Sequence, residues 1–170
     1  SQASMGRVME EGLSVPLKGM VFPIFQEKGV WAVDPFDPYP EGYAMIVGFS
    51  PLDVWVNTKL VPTAEEPKSF RELLLPKWKG KMIISDPVIN SGPYMNFITL
   101  VNRKAFDWEY VKALGRQDWK LARTTAEMFS SLSRGDAHIV PVGAAQVGTR
   151  LIWDGAPIKP VPSEEGTVAT

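Results

Sequence analysis

The chain contains no cysteine and a single histidine among its 170 residues. Without cysteine there are no disulfides, no thiolate metal sites and no thiol nucleophile. The lone histidine, His138, sits between Ala137 and Ile139 in a run that reads as a strand, where an imidazole is structural rather than catalytic. G-x-S-x-G, a Walker loop and H-E-x-x-H are all missing. Lys and Arg total 18 against 19 acidic residues, a net charge of −1. No basic tract is present, so a nucleic-acid partner is excluded as the leading class. No apolar run approaches the roughly 18 residues of a membrane span, so direct membrane insertion is not expected. The chain opens at "SQASMGRVMEEGL" without an initiator methionine, so the lack of a visible signal peptide carries no weight.

Hydrophobic residues make up 45% and charged residues 22% of the chain, which also carries 15 prolines and 14 glycines. This is a soluble, globular composition, cut by turn residues into short elements. Residues 3–13 read as the end of a helix stopped near Gly12. Residues 14–42 read as irregular chain with at most one short strand. "YAMIVGF" (43–49) and "LDVWVNT" (52–58) read as strands. Ser69 with Glu72 forms a capping-box pattern opening the short helix "FRELL", ended by Pro76. "KMIIS" (81–85) reads as a strand. The stripe Tyr94, Phe97, Ile98, Val101 predicts an amphipathic helix, and Asp107 caps another through Leu114. Thr124 and Glu127 form a second capping box, for a helix that buries Met128, Phe129 and Leu132 and stops at Gly135. "AHIVP" (137–141) is a strand and "GAAQVGTRLIW" a helix broken by Gly155. "PIKPVP" is a last extended piece. Strands and helices alternate from about residue 52, the pattern of an α/β fold with a sheet covered by helices on both faces.

Three turns carry the candidate site. In the first, strand 81–85 runs into Asn90-Ser91-Gly92-Pro93 and then a helix whose early residues include Tyr94. The first N–H groups of a helix have no intrahelical partner and the dipole is positive there, so such a start suits an anion. Ser91 and Pro93 also suit a plain N-cap and first-turn proline. Arg123, beside Thr124 and Thr125, opens the second turn, and its planar fork suits carboxylate or phosphate. Gly143 and Ala144 open the third. If the three converge, they form one polar cradle. Asp86 and Asp136 read first as turn residues.

The order of segments resembles one family. "VWVNTKLVPTAEEPKSFRELLLPKWKGKMIISDPVINSGP", then "SSLSRGDAHIVPV", then "DGAPIKPVPSEEGTVA" are similar, as an ordered set over residues 44–169, to the extracellular solute-binding proteins of bacterial ABC transporters, in the ferric-iron-binding-like branch. The resemblance implies the type 2 periplasmic-binding-protein fold: two α/β lobes joined by crossing strands and closing over a solute. It implies residues 1–55 as partial first lobe and first hinge strand, 56–159 as the second lobe, and 160–170 as the return crossing, with half of the cleft contributed by chain beyond these residues. Implied partners are a small-molecule solute and membrane permease subunits. The protein is then periplasmic or extracellular, lipid-anchored forms included, monomeric, free of cofactor and not an enzyme. Ferric-ion binders place neighbouring tyrosines after the "G-D/E-A-x-I" strand. Here Val142-Gly143-Ala144-Ala145 stands there, which implies an anionic organic solute rather than bare ferric ion. The competing expectation is an enzyme or ligand-sensing regulatory domain on the same bilobal fold.

Overall fold

A computed structural model describes residues 8–17, 42–43, 51–89, 91–104, 106–165 and 168–169. Two compact units form, Ser1–Phe49 and Ser50–Thr170. In the first, residues 8–10 are helical, and the turn closes at Gly12 with φ +67°. The Gly12 and Leu13 amides donate to Met9 and Val8 carbonyls at 3.0 Å each. This is the left-handed stop that glycine allows. The expected strand 43–49 and most of segment 14–42 lie outside the described residues.

Among its described residues the larger unit holds six strands: β1 (Pro51–Asn57), β2 (Ile83–Ser85), β3 (Lys120–Ala122), β4 (Ile139–Ala144), β5 (Ile158–Val161) and β6 (Val168–Ala169). Its helices are α1 (Ser91–Asn102), α2 (Trp108–Gly115), α3 (Thr125–Arg134) and α4 (Ala145–Trp153). β3 pairs parallel with β2, with Ile84 opposite Leu121 and Ser85 opposite Ala122. β1 lies antiparallel between β4 on one edge and β5 with β6 on the other.

Segments 81–85 and 137–141, expected in one sheet, fall instead in two separate sheets that touch only through an isolated parallel bridge, Met82 to Ile139. The Lys81 carbonyl accepts from the His138 and Ile139 amides at 2.8 and 3.3 Å. The next donor from β4 in that register would be residue 141, which is proline and has no N–H, so the ladder stops. At the same place the β1–β4 register shifts between Asp53 and Trp55.

Alternation along each strand sorts the core onto two faces. Val54, Val56, Met82, Ile84 and Ile139 pack with Phe97 and Leu100 of α1 and Tyr110 and Leu114 of α2. Trp55, Ile83 and Val140 pack with Met128, Phe129 and Leu132 of α3, with Val147 and Leu151 of α4 against them. Helices thus cover both faces, as the α/β pattern predicted. Leu100 replaces Ile98 as the buried member of the α1 stripe.

Capping follows the sequence with two adjustments. Asp107 accepts from the Tyr110 amide at 2.9 Å, as expected. "FRELL" is a 3-10 helix, Phe70–Leu74, whose Ser69 makes no side-chain cap bond. Glu72 accepts instead from the Lys68 amide at 2.9 Å. Three residues per turn bring Glu72 back over a different amide than an α-turn would.

Candidate functional site

The parallel register decides where the three turns lie. Ser85 and Ala122 are the last residues of β2 and β3 and stand side by side. The Asp86 amide then donates to the Ala122 carbonyl at 2.8 Å. The chain leaving β2 toward α1 is therefore beside the chain leaving β3 toward α3. β4 runs parallel on the other flank of β2 through the Met82–Ile139 bridge, and its carboxyl end passes into α4 at Ala145. Three strands, β3, β2 and β4, thus run in one direction, and the chain passes from each into a helix beyond its carboxyl end. Paired strands lie about 4.8 Å apart, so the ends of β2 and β3, at Ser85 and Ala122, are immediate neighbours. In open α/β sheets this carboxyl edge is where ligands bind.

Ser91, Gly92 and Tyr94 occupy the first turn of α1; Asn90 lies outside the described residues. Arg123 and Thr124 are exposed. Thr124 is the N-cap of α3, its Oγ1 accepting from the Glu127 amide at 3.1 Å. The Glu127 carboxylate closes the capping box one residue further out than expected, on the Arg123 amide at 2.8 Å. Among the described residues the Arg123 guanidinium has no ion pair. Thr125 is the first residue of α3, half-buried and engaged in an interaction of its own. Ala144 is the N-cap of α4 and supplies no side-chain cap bond. Asp86 is half-buried at the same edge and accepts from the Val88 amide at 2.8 Å, the local turn its sequence suggested.

Gly143 has a packing requirement that its sequence did not reveal. A Cβ there would stand 2.6 Å from Trp55 Cδ1 and 2.7 Å from Phe129 Cζ. Its carbonyl accepts from Trp55 Nε1 at 3.1 Å. Asn57 is a second unforeseen residue. Buried at 2% exposure, it donates through Nδ2 to the Leu132 carbonyl at 2.7 Å, at the far end of α3. Neither role has a local sequence signal, because both partners lie more than 70 positions along the chain.

Two titratable side chains among the described residues are shifted by their surroundings. Burial pushes the His138 imidazole below its usual range, with Lys81 and then Lys120 adding to the effect. Burial pushes the Tyr110 phenol well up, with Glu165 adding and Arg71 opposing; its hydroxyl donates to the Phe70 carbonyl. Among the described residues no cluster of three His, Cys, Asp or Glu side chains could hold a metal. An apolar groove of about 380 Å³ is lined by Ile84, Pro87, Phe97, Leu114, Trp119 and Leu121. No helix among the described residues is long and apolar enough to cross a membrane.

The described residues form an α/β fold with helices on both faces of the strands. The chain belongs to the family of bacterial extracellular solute-binding proteins, whose model matches residues 1–170. Its fold is that of the type 2 periplasmic binding proteins. It is similar to the periplasmic binding protein P5PA, with 19% identity and a TM-score of 0.71 over 92% of this chain and 49% of that one. It is similar also to AfuA from Actinobacillus pleuropneumoniae, solved with fructose-6-phosphate, at 23% identity and a TM-score of 0.64 over 74% and 40% of the two chains. A third similar structure is the Trichodesmium protein FutA with iron and citrate, at 15% identity and a TM-score of 0.67 over 96% and 53%. The chain thus spans about half the length of these structures, or less. No curated protein sequence matches it.

Proposed function

We propose that this chain is the larger part of the solute-capturing lobe of an ABC importer's binding protein. Residues 56–159 form the second lobe, and 1–55 and 160–170 belong to the first lobe and the crossings. The solute is a small, polar, anionic organic molecule, held between the lobes outside the cytoplasm and delivered to a membrane permease by the closed, monomeric protein. The protein performs no chemistry: closure about the solute is the whole event, and the permease selects the closed state.

The observation that carries this reading is the shared carboxyl edge of β3, β2 and β4. Helix-start amides from α1, α3 and α4 meet the anion, with Ser91, Gly92 and Tyr94 on one turn and Gly143 and Ala144 on another. Arg123, Thr124 and Thr125 form the turn between α3 and β3, and Arg123 adds a charge-assisted pair worth on the order of 1.5–3 kcal/mol. Asp86 and Glu127 at the same edge limit the net positive potential, which favours a solute that also carries hydroxyl or amino donors. Bare ferric ion is disfavoured. The β4–α4 turn, Val142-Gly143-Ala144-Ala145, offers no phenolate, and Tyr110 is committed to the core.

The test is a thermal-shift screen of carboxylates and phosphate esters, followed by calorimetry on the best solute. A ligand at about 100 times its Kd stabilises by about 2.7 kcal/mol. Arg123→Ala is expected to weaken binding about tenfold or more, since 1.4 kcal/mol is one decade. Arg103→Ala, an exposed cation at the end of α1, should change it little. Equal losses from both substitutions would reduce the effect to general charge and remove Arg123 from the site.

A further inference from the structure

Trp55 lies on β1, fully buried at 0% exposure, yet it reaches the elements that form the carboxyl edge. Its Nε1–H donates to the Gly143 carbonyl at 3.1 Å. That bond sits where the β1–β4 pairing slips between Asp53 and Trp55, a place where ladder bonds are disrupted and backbone groups need other partners. The other end of the indole lies against α4. A Cβ on Gly148 would collide with Cη2, Cζ3 and Cζ2 of the same ring. The indole therefore spans from the last residues of β4 to the second turn of α4, with its pyrrole end under Gly143 and its benzene end under Gly148. Its edge meets Phe129 of α3, with centroids 5.2 Å apart and ring planes at 84°, a favourable edge-to-face pair. A single side chain thus touches both α3 and the β4–α4 turn.

This arrangement is more specific than core filling requires. Two glycines, at opposite ends of one ring, approach it more closely than a residue with a Cβ could, and the ring's only donor is used on the turn itself. Ala144, the N-cap of α4, contributes no side-chain bond to hold the helix start. We infer that Trp55 is a positioning residue: it fixes the start of α4 relative to α3 and so sets the spacing of the backbone donors that meet the solute's anionic group. The inference rests on the reading of that edge as the solute site. It also connects the site to β1, the strand read as the first crossing, so that the hinge and the anion-facing turn move as one piece.

The test uses Trp55→Phe, Gly148→Ala and the double variant, with urea denaturation, backbone 15N relaxation and titration with inorganic phosphate followed by amide shifts. Gly148→Ala alone is expected to destabilise. Adding Trp55→Phe removes the benzene end and opens the space for the new methyl, so the double variant should be more stable than Gly148→Ala. The indole N–H is missing from both Phe-containing variants. Amide order parameters over residues 143–146 should then fall from about 0.85 toward 0.6 or below in both, and phosphate affinity should drop about tenfold. A role in packing alone predicts something else: the double variant would regain order and phosphate binding together with stability, and that result would overturn the inference. Order parameters in Trp55→Phe unchanged from wild type would overturn it as well. Absence of phosphate-induced shifts in the wild type counts against the anion reading. The ligand-free relaxation measurement still decides whether Trp55 holds the turn.

Discussion

Replacing Asn57 with Asp changes one atom's chemistry and almost no volume, at a position 2% exposed. The Asn57 Nδ2 group donates to the Leu132 carbonyl at 2.7 Å and to the Ser133 carbonyl at 3.4 Å. Its Oδ1 accepts from the Lys59 amide at 2.9 Å. Asp keeps the acceptor but turns a second oxygen toward two carbonyls. The bond lost and the buried partner stranded cost about 1–3 kcal/mol, and more when the group is charged. The expected loss at pH 7 is therefore about 3 kcal/mol or more for Asn57→Asp, against about 2 kcal/mol for Asn57→Ala. At roughly 3–5 °C per kcal/mol for a unit of this size, the Asp variant melts about 9–15 °C lower. The pH dependence adds a second signature. Burial beside carbonyls holds the folded-state pKa of the new carboxyl above its unfolded value of about 3.9. The charge penalty is then absent below that unfolded value and grows as pH rises toward the folded one. Urea titrations of wild type and both variants at pH 7 and pH 4 should show the Asp deficit shrinking in acid while the Ala deficit stays constant. An Asp variant within about 0.5 kcal/mol of wild type at pH 7, or one no worse than Ala, would refute the bonding assigned to Asn57.

Two further expectations concern single residues. Thr124→Ala removes the Oγ1 bond to the Glu127 amide and should cost about 1 kcal/mol, whereas Ser69→Ala, at a cap position without a side-chain bond, should stay within about 0.5 kcal/mol of wild type; denaturant midpoints compare the two. The His138 imidazole should titrate by NMR below about 6.5, and Lys81→Met should raise its midpoint. Because the folded-state value is lowered, the contribution of His138 to stability is complete above the unfolded value and is lost as pH falls through the folded one. His138→Asn should therefore flatten the slope of stability against pH in that window.

Much of this protein is legible from local patterns. Asp107 and Thr124 cap their helices where their positions in the chain predict, because a cap involves atoms within four residues of each other. Gly135 stops α3 with φ +86°, a conformation that other residues adopt at a cost. Met128, Phe129 and Leu132 are buried because a period of 3.6 puts them on one face. The resemblance in segment order, from "VWVNT" to "PSEEGTVA", carried the family for the same kind of reason: ordered turns and caps persist along a chain. What the sequence could not decide is which chain ends meet. Asp86 and Ala122 are joined at 2.8 Å across 36 positions, and only the parallel register of β2 and β3 puts the chain that enters α3 beside the chain that leaves β2. Pro141 shows the converse. Its missing N–H is plain in the sequence, but which ladder it interrupts depends on β4 lying next to β2. Trp55, Gly143 and Gly148 read separately as a strand residue, a turn residue and a helix residue. Their packing together is a steric fact of three dimensions: one indole fills the space that two side chains would otherwise need, and no period or composition along the chain encodes that coincidence.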